Sequence, residues 1–250
     1  MDLNSINDSL AAAEPEAILD WAFRSFPYRI GMTTSFQASG IVLLDIIRKI
    51  AYGFPVFFID TGHHFPETLE FKNRLARAWG LDVHVILPTV PRRRQEREYG
   101  PLLYERDPDL CCRINKVDPL DNLKRELGLK NWLSAVRRDQ SPTRRDFHPV
   151  MVDADGGLRI HPLVNWTRAR IWDRIRSERL PYHPLYDQGY KSIGCFPPAC
   201  TAKTSSSSDE DERNGRWEGR DKLECGLHQG LGPARNGRDE SIPKGKTPHD

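Results

Sequence analysis

Long apolar runs are missing from this 250-residue chain. The longest, Ile41 to Ile47, is broken by Asp45 and falls far short of the roughly 20 apolar residues that cross a bilayer, so a soluble protein without a membrane partner is expected. An excess of one charge is missing too. Although 29% of the residues are charged, the net charge is only +2, which leaves no global field of the kind that draws a protein to nucleic acid; any anion site must be local. Met1-Asp2-Leu3-Asn4 lacks the positive flank, apolar centre and small-residue cleavage site of a secretory signal. The cysteines do not pair off either: there are five, and Cys111 and Cys112 are adjacent, which suits a secreted disulfide scaffold badly. A reducing cytoplasm, with metal-bound or catalytic thiols, is the expected setting. No internal repeat is present.

What remains is an alternation of short Val, Ile and Phe runs with longer amphipathic stretches, the order of βαβ units around a parallel sheet. Strands are expected over Arg29 to Thr34, Val56 to Asp60, Asp82 to Leu87 and Trp132 to Val136. Helices are expected over Ser39 to Ile50, Pro66 to Trp79, Pro119 to Leu127 and Thr167 to Glu178, with a hairpin from Val150 to Ile160 around Asp155-Gly156-Gly157. Ligands of open α/β sheets bind beyond the carboxyl ends of the strands, so the segments after Thr34, Ile59 and Val136 should line one crevice. Thr204 to Asp211 and Gly230 to Asp250 are polar stretches whose composition predicts mobile or disordered chain.

Ser35-Phe36-Gln37-Ala38-Ser39-Gly40 lies between a strand and a helix, where free N–H groups favour a phosphate, yet it fits neither the Walker loop nor the dinucleotide fingerprint. An ordinary N-capped helix would look the same. Asp60-Thr61-Gly62-His63-His64-Phe65-Pro66 reads equally as a cap and turn or as the wall of a nucleotide pocket. The Arg137 to Arg144 loop follows a strand directly, so its guanidinium groups can reach the crevice and form bidentate bonds to phosphate or sulfate. Arg213 and Arg216 lie beside Trp217 in the polar segment leading to Cys225. Arg92-Arg93-Arg94 reads as a solvated surface.

Cysteine placement is the sharpest feature. Cys111-Cys112 and Cys195 with Cys200 form two close pairs of soft ligands that suit zinc or an iron-sulfur cluster, the bland alternative being buried structural thiols. Cys225 stands alone, with Lys222 before it and His228 after it; cationic neighbours raise the thiolate fraction and with it the nucleophilicity.

Taken in order, these segments resemble the assimilatory adenylyl-sulfate and phosphoadenylyl-sulfate reductases. The resemblance is carried by Asp60-Thr61-Gly62 with Phe65-Pro66-Glu67-Thr68, Cys111-Cys112 with Lys116-Val117, and Arg137-Arg138-Asp139-Gln140-Ser141-Pro142-Thr143-Arg144. Tyr186-Asp187-Gln188-Gly189-Tyr190, Ser192-Ile193-Gly194-Cys195, Glu210-Asp211-Glu212-Arg213, Gly215-Arg216-Trp217 and Glu224-Cys225-Gly226-Leu227-His228 complete it. It implies an α/β, adenine-nucleotide α-hydrolase-like (Rossmann-like), mostly parallel sheet flanked by helices, with a mobile C-terminal tail. Residues 1–200 would bind the sulfonucleotide, 201–229 would carry the catalytic cysteine, and 230–250 would be disordered.

The resemblance further implies that Cys225 attacks the sulfur of adenylyl sulfate (APS), expelling AMP and leaving an S-sulfocysteine, from which thioredoxin or a glutaredoxin-like donor releases sulfite. It makes Ser35, Phe36 and Gln37 the nucleotide loop, and Lys116, Arg137, Arg144, Arg213, Arg216 and His228 the groups that hold phosphate and sulfate. It makes Cys111, Cys112, Cys195 and Cys200 the ligands of a [4Fe-4S] cluster, and with both pairs present it favours adenylyl sulfate over the 3′-phosphorylated substrate (PAPS). Two departures stand out: Phe196-Pro197-Pro198-Ala199 separates Cys195 from Cys200 where Cys-x-x-Cys is usual, and the approach from Arg216 to Cys225 is shorter than usual. A non-catalytic four-cysteine metal-binding or redox-sensing module is the reading from another class. Self-association into a homo-oligomer is left open.

Overall fold

Strand β2, Val56–Ile59, is buried on both faces, and its alternation explains why the sheet is covered twice. Val56 and Phe58 enter the larger core, whereas Phe57 and Ile59 enter a second cluster with Ile86, Leu120, Leu129 and Trp132. In the computed structural model, which describes residues 2–51, 53–153, 155–196, 202–203, 212–213, 216–217, 222 and 224–228, β2 lies beside the centre of a six-stranded sheet.

The remaining strands of that sheet are β1 (Ile30–Thr33), β3 (Val83–Ile86), β4 (Asn131–Leu133), β5 (Val150–Val152) and β6 (Leu158–Ile160), in the order β3-β2-β1-β4-β6-β5. All neighbours are parallel except β5 and β6. Gly31 in β1 is required by packing: a Cβ there would sit 2.5 Å from Trp132 Cζ3 on the adjoining strand. The chain's strand order reverses at β1, between β2 and β4, so a crevice opens beyond the carboxyl ends of those strands.

The helices are α1 (Leu3–Leu10), α2 (Pro15–Ser25), α3 (Ala38–Ile50), α4 (Pro66–Trp79), α5 (Arg92–Tyr99), α6 (Leu103–Arg106), α7 (Pro108–Cys112), α8 (Asp118–Leu127) and α9 (Arg168–Ser177). Helix α3 is buried from Ala38 to Ile47 and forms the spine of the larger core with α9 against it. Full burial of a side chain such as Ile41 or Leu43 stabilises by about 1.5–3 kcal/mol. Helix α4 starts on Pro66 and stops where Gly80 turns left-handed (φ 60°). In α9 the Thr167 hydroxyl accepts from Arg170 N–H at 3.2 Å.

The α/β expectation and most of its elements hold; α1, α2 and α5 are helices for which no element was expected, and three further differences concern the strands and the stretch before α8. Strand β4 ends at Leu133 rather than Val136, because after Ser134 N–H bonds Ile160 O (2.9 Å) the chain leaves the ladder and Arg138 N–H meets Val164 O (3.1 Å). The stretch from Leu103 to Val117, for which no element was expected, forms α6, α7 and a π-helical turn over Arg113–Val117. Strand β7 (Tyr190–Ser192) pairs with β8 (Ala202–Lys203) in a separate antiparallel ribbon. The Arg92 to Arg94 run is the solvated face anticipated, with Arg92–Glu96 and Arg94–Glu98 pairs at 3.0 and 2.6 Å along α5. Among the described residues no helix is long and apolar enough to cross a membrane. Cys200, Thr204 to Asp211 and the 230–250 tail lie outside the described residues.

Candidate active site

The crevice beyond β1, β2 and β4 encloses roughly 1450 Å³, open mouth included. Its floor is the β1–α3 turn. Phe36 takes a left-handed conformation (φ 56°) there, its N–H donating to Thr34 Oγ1 at 3.0 Å, and its ring turns into the core against Phe58. Ser35 and Gln37 therefore face the crevice while the Phe36 side chain does not. Gly40 lets α3 approach this turn, since a Cβ there would lie 2.7 Å from Thr34 Oγ1. The first N–H of α3, on Ala38, donates to Tyr186 Oη at 3.1 Å, and burial holds that phenol up at about 12, so it remains a neutral hydroxyl. Gln37 donates to Ser35 Oγ (2.8 Å) and accepts from Ile193 N–H (3.1 Å), tying the turn to the segment after β7.

On the β4 side the arginines are organised by carboxylates from the C-terminal segment. Arg137, 1% exposed, bonds Asp139 at 2.9 Å, Glu212 at 2.7 Å and the Ser39 hydroxyl. Burial raises the Glu212 carboxyl against the pull of Arg137 and Arg168. Arg144 grips Glu224 at 2.7 and 2.9 Å, and Arg213 pairs with the same carboxylate. Burial pushes Glu224 up, but Arg144 and Arg213 prevail and hold it below the usual range. Arg213 falls to about 9, first through burial and then through Arg216 and Arg144. Arg213, Arg216 and Lys222 pack over the Trp217 ring at 5.7, 5.4 and 5.3 Å, and Lys222 is anchored to Asp109.

Cys225 enters the crevice from the same segment, half-buried, with Trp217 and Cys195 packed beside it. Its thiol is drawn well below the ordinary value, first by a hydrogen bond from the Cys112 thiol, then, against its own burial, by Lys116, the Leu227 N–H and Arg216. Cys112 is pushed up correspondingly, by its hydrogen bond to Cys225 and by burial, so the pair favours ionisation at Cys225 over Cys112. His228 is held well below its usual value by burial and by Arg144 and Arg159, which makes it a neutral imidazole.

The iron-sulfur expectation is corrected here, and with it the metal-binding description of the chain. Among the described residues no group of three or more His, Cys, Asp or Glu could hold a metal ion. Cys111, Cys112 and Cys195 do line one small cavity, but each sulfur has another partner. The Cys112 thiol is hydrogen-bonded to Cys225, Cys195 Sγ lies 3.4 Å from Thr61 Oγ1, and Cys111 Sγ is approached by the Asn115 amide at 3.6 Å. That donor set does not fit a [4Fe-4S] cluster, and Cys200 lies outside the described residues. A four-cysteine metal module loses its basis on the same ground.

Of the residues singled out in the sequence, Ser35, Gln37, Lys116, Arg137, Arg144, Arg213, Arg216, Cys225 and His228 line the crevice together; Cys195 does so as well, and Phe36 contributes backbone. Tyr186, Glu212 and Glu224 entered the sequence reading only as members of the resembling segments, without a role, and Arg168 not at all; what each does depends on contacts across the fold. The recurrent acids beside Arg213 and Cys225 were the available signal.

Residues 29–203 match the family described as phosphoadenosine phosphosulfate reductase domain. A phosphoadenosine 5′-phosphosulfate reductase of Gloeobacter violaceus is 43% identical over 217 residues, covering 86% of this chain and 88% of the relative. An adenosine 5′-phosphosulfate reductase 2 of Bacillus subtilis is 42% identical over 214 residues, covering 85% and 88%. Among solved structures, phosphoadenylyl-sulfate (PAPS) reductase from Candida auris in a phosphate complex superposes with a TM-score of 0.69 at 32% identity, covering 77% of this chain and 93% of that one. FMN adenylyltransferase from Candida glabrata, at 16% identity and a TM-score of 0.57 over 84% of this chain and 73% of that one, shares the fold alone.

Proposed function

Because the chain belongs to the phosphoadenosine phosphosulfate reductase domain family, we propose that Cys225 is the nucleophile with which it reduces an adenylylated sulfate to sulfite and AMP. It is an oxidoreductase of assimilatory sulfate reduction. The observation that carries the role of Cys225 is its place in the crevice among Lys116, Arg144, Arg213 and Arg216, where positive charge favours the ionised thiol. Attack on the sulfonyl sulfur breaks the bond to the bridging oxygen, AMP departs with that electron pair on its phosphate, and the sulfonate stays on Cys225. Lys116, Arg144, Arg213 and Arg216 would stabilise the charge that develops on the departing phosphate and on the sulfonate oxygens. Ser35 and Gln37 would hold the nucleotide, with Arg137 setting the wall between them and Glu212. His228, neutral, would offer a hydrogen bond without adding charge.

A dithiol protein, thioredoxin or a glutaredoxin-like donor, would supply the two electrons, in the reducing cytoplasm where such donors are kept reduced. Residues 201–229 would act as a segment that closes over the substrate. Adenylyl sulfate is the favoured substrate on the strength of relatives such as the Bacillus subtilis protein, not of the cysteine pairs, whose argument went with the cluster. The 3′-phosphorylated compound, named for the Gloeobacter violaceus relative, is the alternative.

The test is sulfite release from each sulfonucleotide with thioredoxin, for the wild type and Cys225→Ser. The wild type should turn over adenylyl sulfate with the higher kcat/KM. Cys225→Ser should bind AMP normally and form neither adduct nor sulfite; sulfite production by that variant would sink the assignment.

A further inference from the structure

Helix α3 is not capped by its own N-cap residue. Gln37 makes no side-chain bond to the helix; its amide is engaged by Ser35 and Ile193. The Ala38 N–H donates instead to the hydroxyl of Tyr186, 148 positions along the chain. That bond occupies a lone pair of the phenol oxygen and leaves the phenol its proton, which no acceptor takes among the described residues.

The hydroxyl is held where it is. Tyr186 closes the 3-10 turn Pro184–Tyr186, its ring meets Trp172 of α9 edge-on at 5.0 Å, and it packs against Phe65, Leu185 and Ile193. It lines the crevice together with Ser35, Gln37 and Ser39. The charged groups that face it are Glu212, Arg137 and Arg168, and the Glu212 carboxylate is taken by Arg137 at 2.7 Å. With burial holding the phenol up at about 12, its proton stays in place through neutral pH.

We propose that the Tyr186 hydroxyl donates to a non-bridging oxygen of the nucleotide phosphate, carrying the hydrogen-bond donor at the start of α3 one hydroxyl further into the crevice. This rests on the reading of the crevice as the sulfonucleotide site. A phosphate oxygen is the acceptor that fits, because the start of a helix favours an anion and a ribose hydroxyl gains nothing from that field. The amide behind the phenol also polarises its O–H bond. The hydrogen bond therefore strengthens as charge builds on the departing phosphate, so Tyr186 acts on kcat as well as on binding. A tyrosine that only capped α3 would act on stability alone.

The experiment compares AMP with adenosine, which differ by the phosphate. Dissociation constants for both are measured by calorimetric titration and competition on the wild type and on Tyr186→Phe, with sulfite release assayed alongside. Phenylalanine keeps the ring against Trp172 and removes the hydroxyl. The AMP constant should rise roughly tenfold or more, the usual worth of a hydrogen bond to a charged group, while that for adenosine stays within about twofold. The kcat for sulfite should fall by a similar factor. An AMP affinity that changes no more than the adenosine affinity overturns the proposal and leaves the crevice reading intact. A wild type that binds neither removes both. Because the variant also strips α3 of its cap, the wild type is read independently, with tyrosine labelled at Cζ by carbon-13. One resonance should shift with AMP and stay in place with adenosine; if none separates the two ligands, the proposal falls whatever the variant does.

Discussion

Arg144 and Glu224 meet through two parallel hydrogen bonds, Nε to Oε2 at 2.7 Å and Nη2 to Oε1 at 2.9 Å, across eighty residues of sequence. Both are buried, at 3% and 8% exposure, so the pair anchors the segment that carries Cys225 to the wall of the crevice. Removing one partner of a buried pair costs about 3–5 kcal/mol, because the other charge is left without its counterion. Glu224→Gln keeps the shape and loses the charge. We expect sulfite formation to fall at least tenfold and proteases to cut the C-terminal segment faster, with the far-ultraviolet circular dichroism of the sheet and helices unchanged. Activity within twofold of wild type would show that the pair does not position Cys225.

The low thiol of Cys225 predicts an unusual pH profile for its chemistry. An ordinary cysteine ionises near 8.5 and loses reactivity about tenfold for each pH unit below that. Cys225 is drawn below this value, first by the hydrogen bond from Cys112 and then by Lys116 and Arg216. Its alkylation by iodoacetamide should therefore persist to lower pH than that of a free cysteine and fall only where the shifted group takes up its proton. Lys116→Ala should move that fall upward. A profile that follows free cysteine contradicts the thiolate.

Much of this arrangement could be read from the sequence, and the reason differs from place to place. Helix α4 was delimited at both ends because Pro66 and Gly80 mark its start and its stop by local backbone chemistry. The Leu103 to Val117 stretch was not, because its short helices have little apolar periodicity and begin on Leu102, a non-glycine residue at φ 55°. The arginines were legible as an anion site by type and position, but their carboxylate partners were not: Arg137 to Glu212 and Arg144 to Glu224 are contacts between residues seventy-five and eighty positions apart. The cysteine pairs misled for a related reason. Spacing suggests which thiols are near one another, not that Cys112 is engaged by Cys225.

Buried histidines predict acid lability. His161 is fully buried, and burial, with Arg159 and Arg144 nearby, lowers it to about 3. Burial likewise lowers His183 to about 4. The unfolded chain protonates these groups near 6.5, so it takes up protons first as the pH falls. Their contribution to stability is complete above about 6.5 and is lost progressively towards the folded values. Each should cost about 2 kcal/mol at about pH 5, read as a lower urea midpoint than at about pH 7.5. His161→Leu should flatten its share of that slope, and an unchanged slope would place the lability elsewhere.

Gly226 offers a test of how closely Cys225 must be delivered. Its backbone is not left-handed, so alanine is conformationally acceptable there, and the objection is purely steric: the new Cβ would lie 2.8 Å from Val117 Cγ2. Val117 is β-branched and closes the π-helical turn, so its methyl group cannot rotate freely out of the way. The C-terminal turn must move instead, and Cys225 with it, away from Cys112 and Lys116. Gly226→Ala should lower kcat at least tenfold while thermal unfolding of the sheet shifts little. Adding Val117→Ala removes the colliding atom and should restore most of the activity. That rescue distinguishes displacement of the nucleophile from general damage: trimming the partly buried Val117 can only deepen a stability defect, whereas it relieves a steric one.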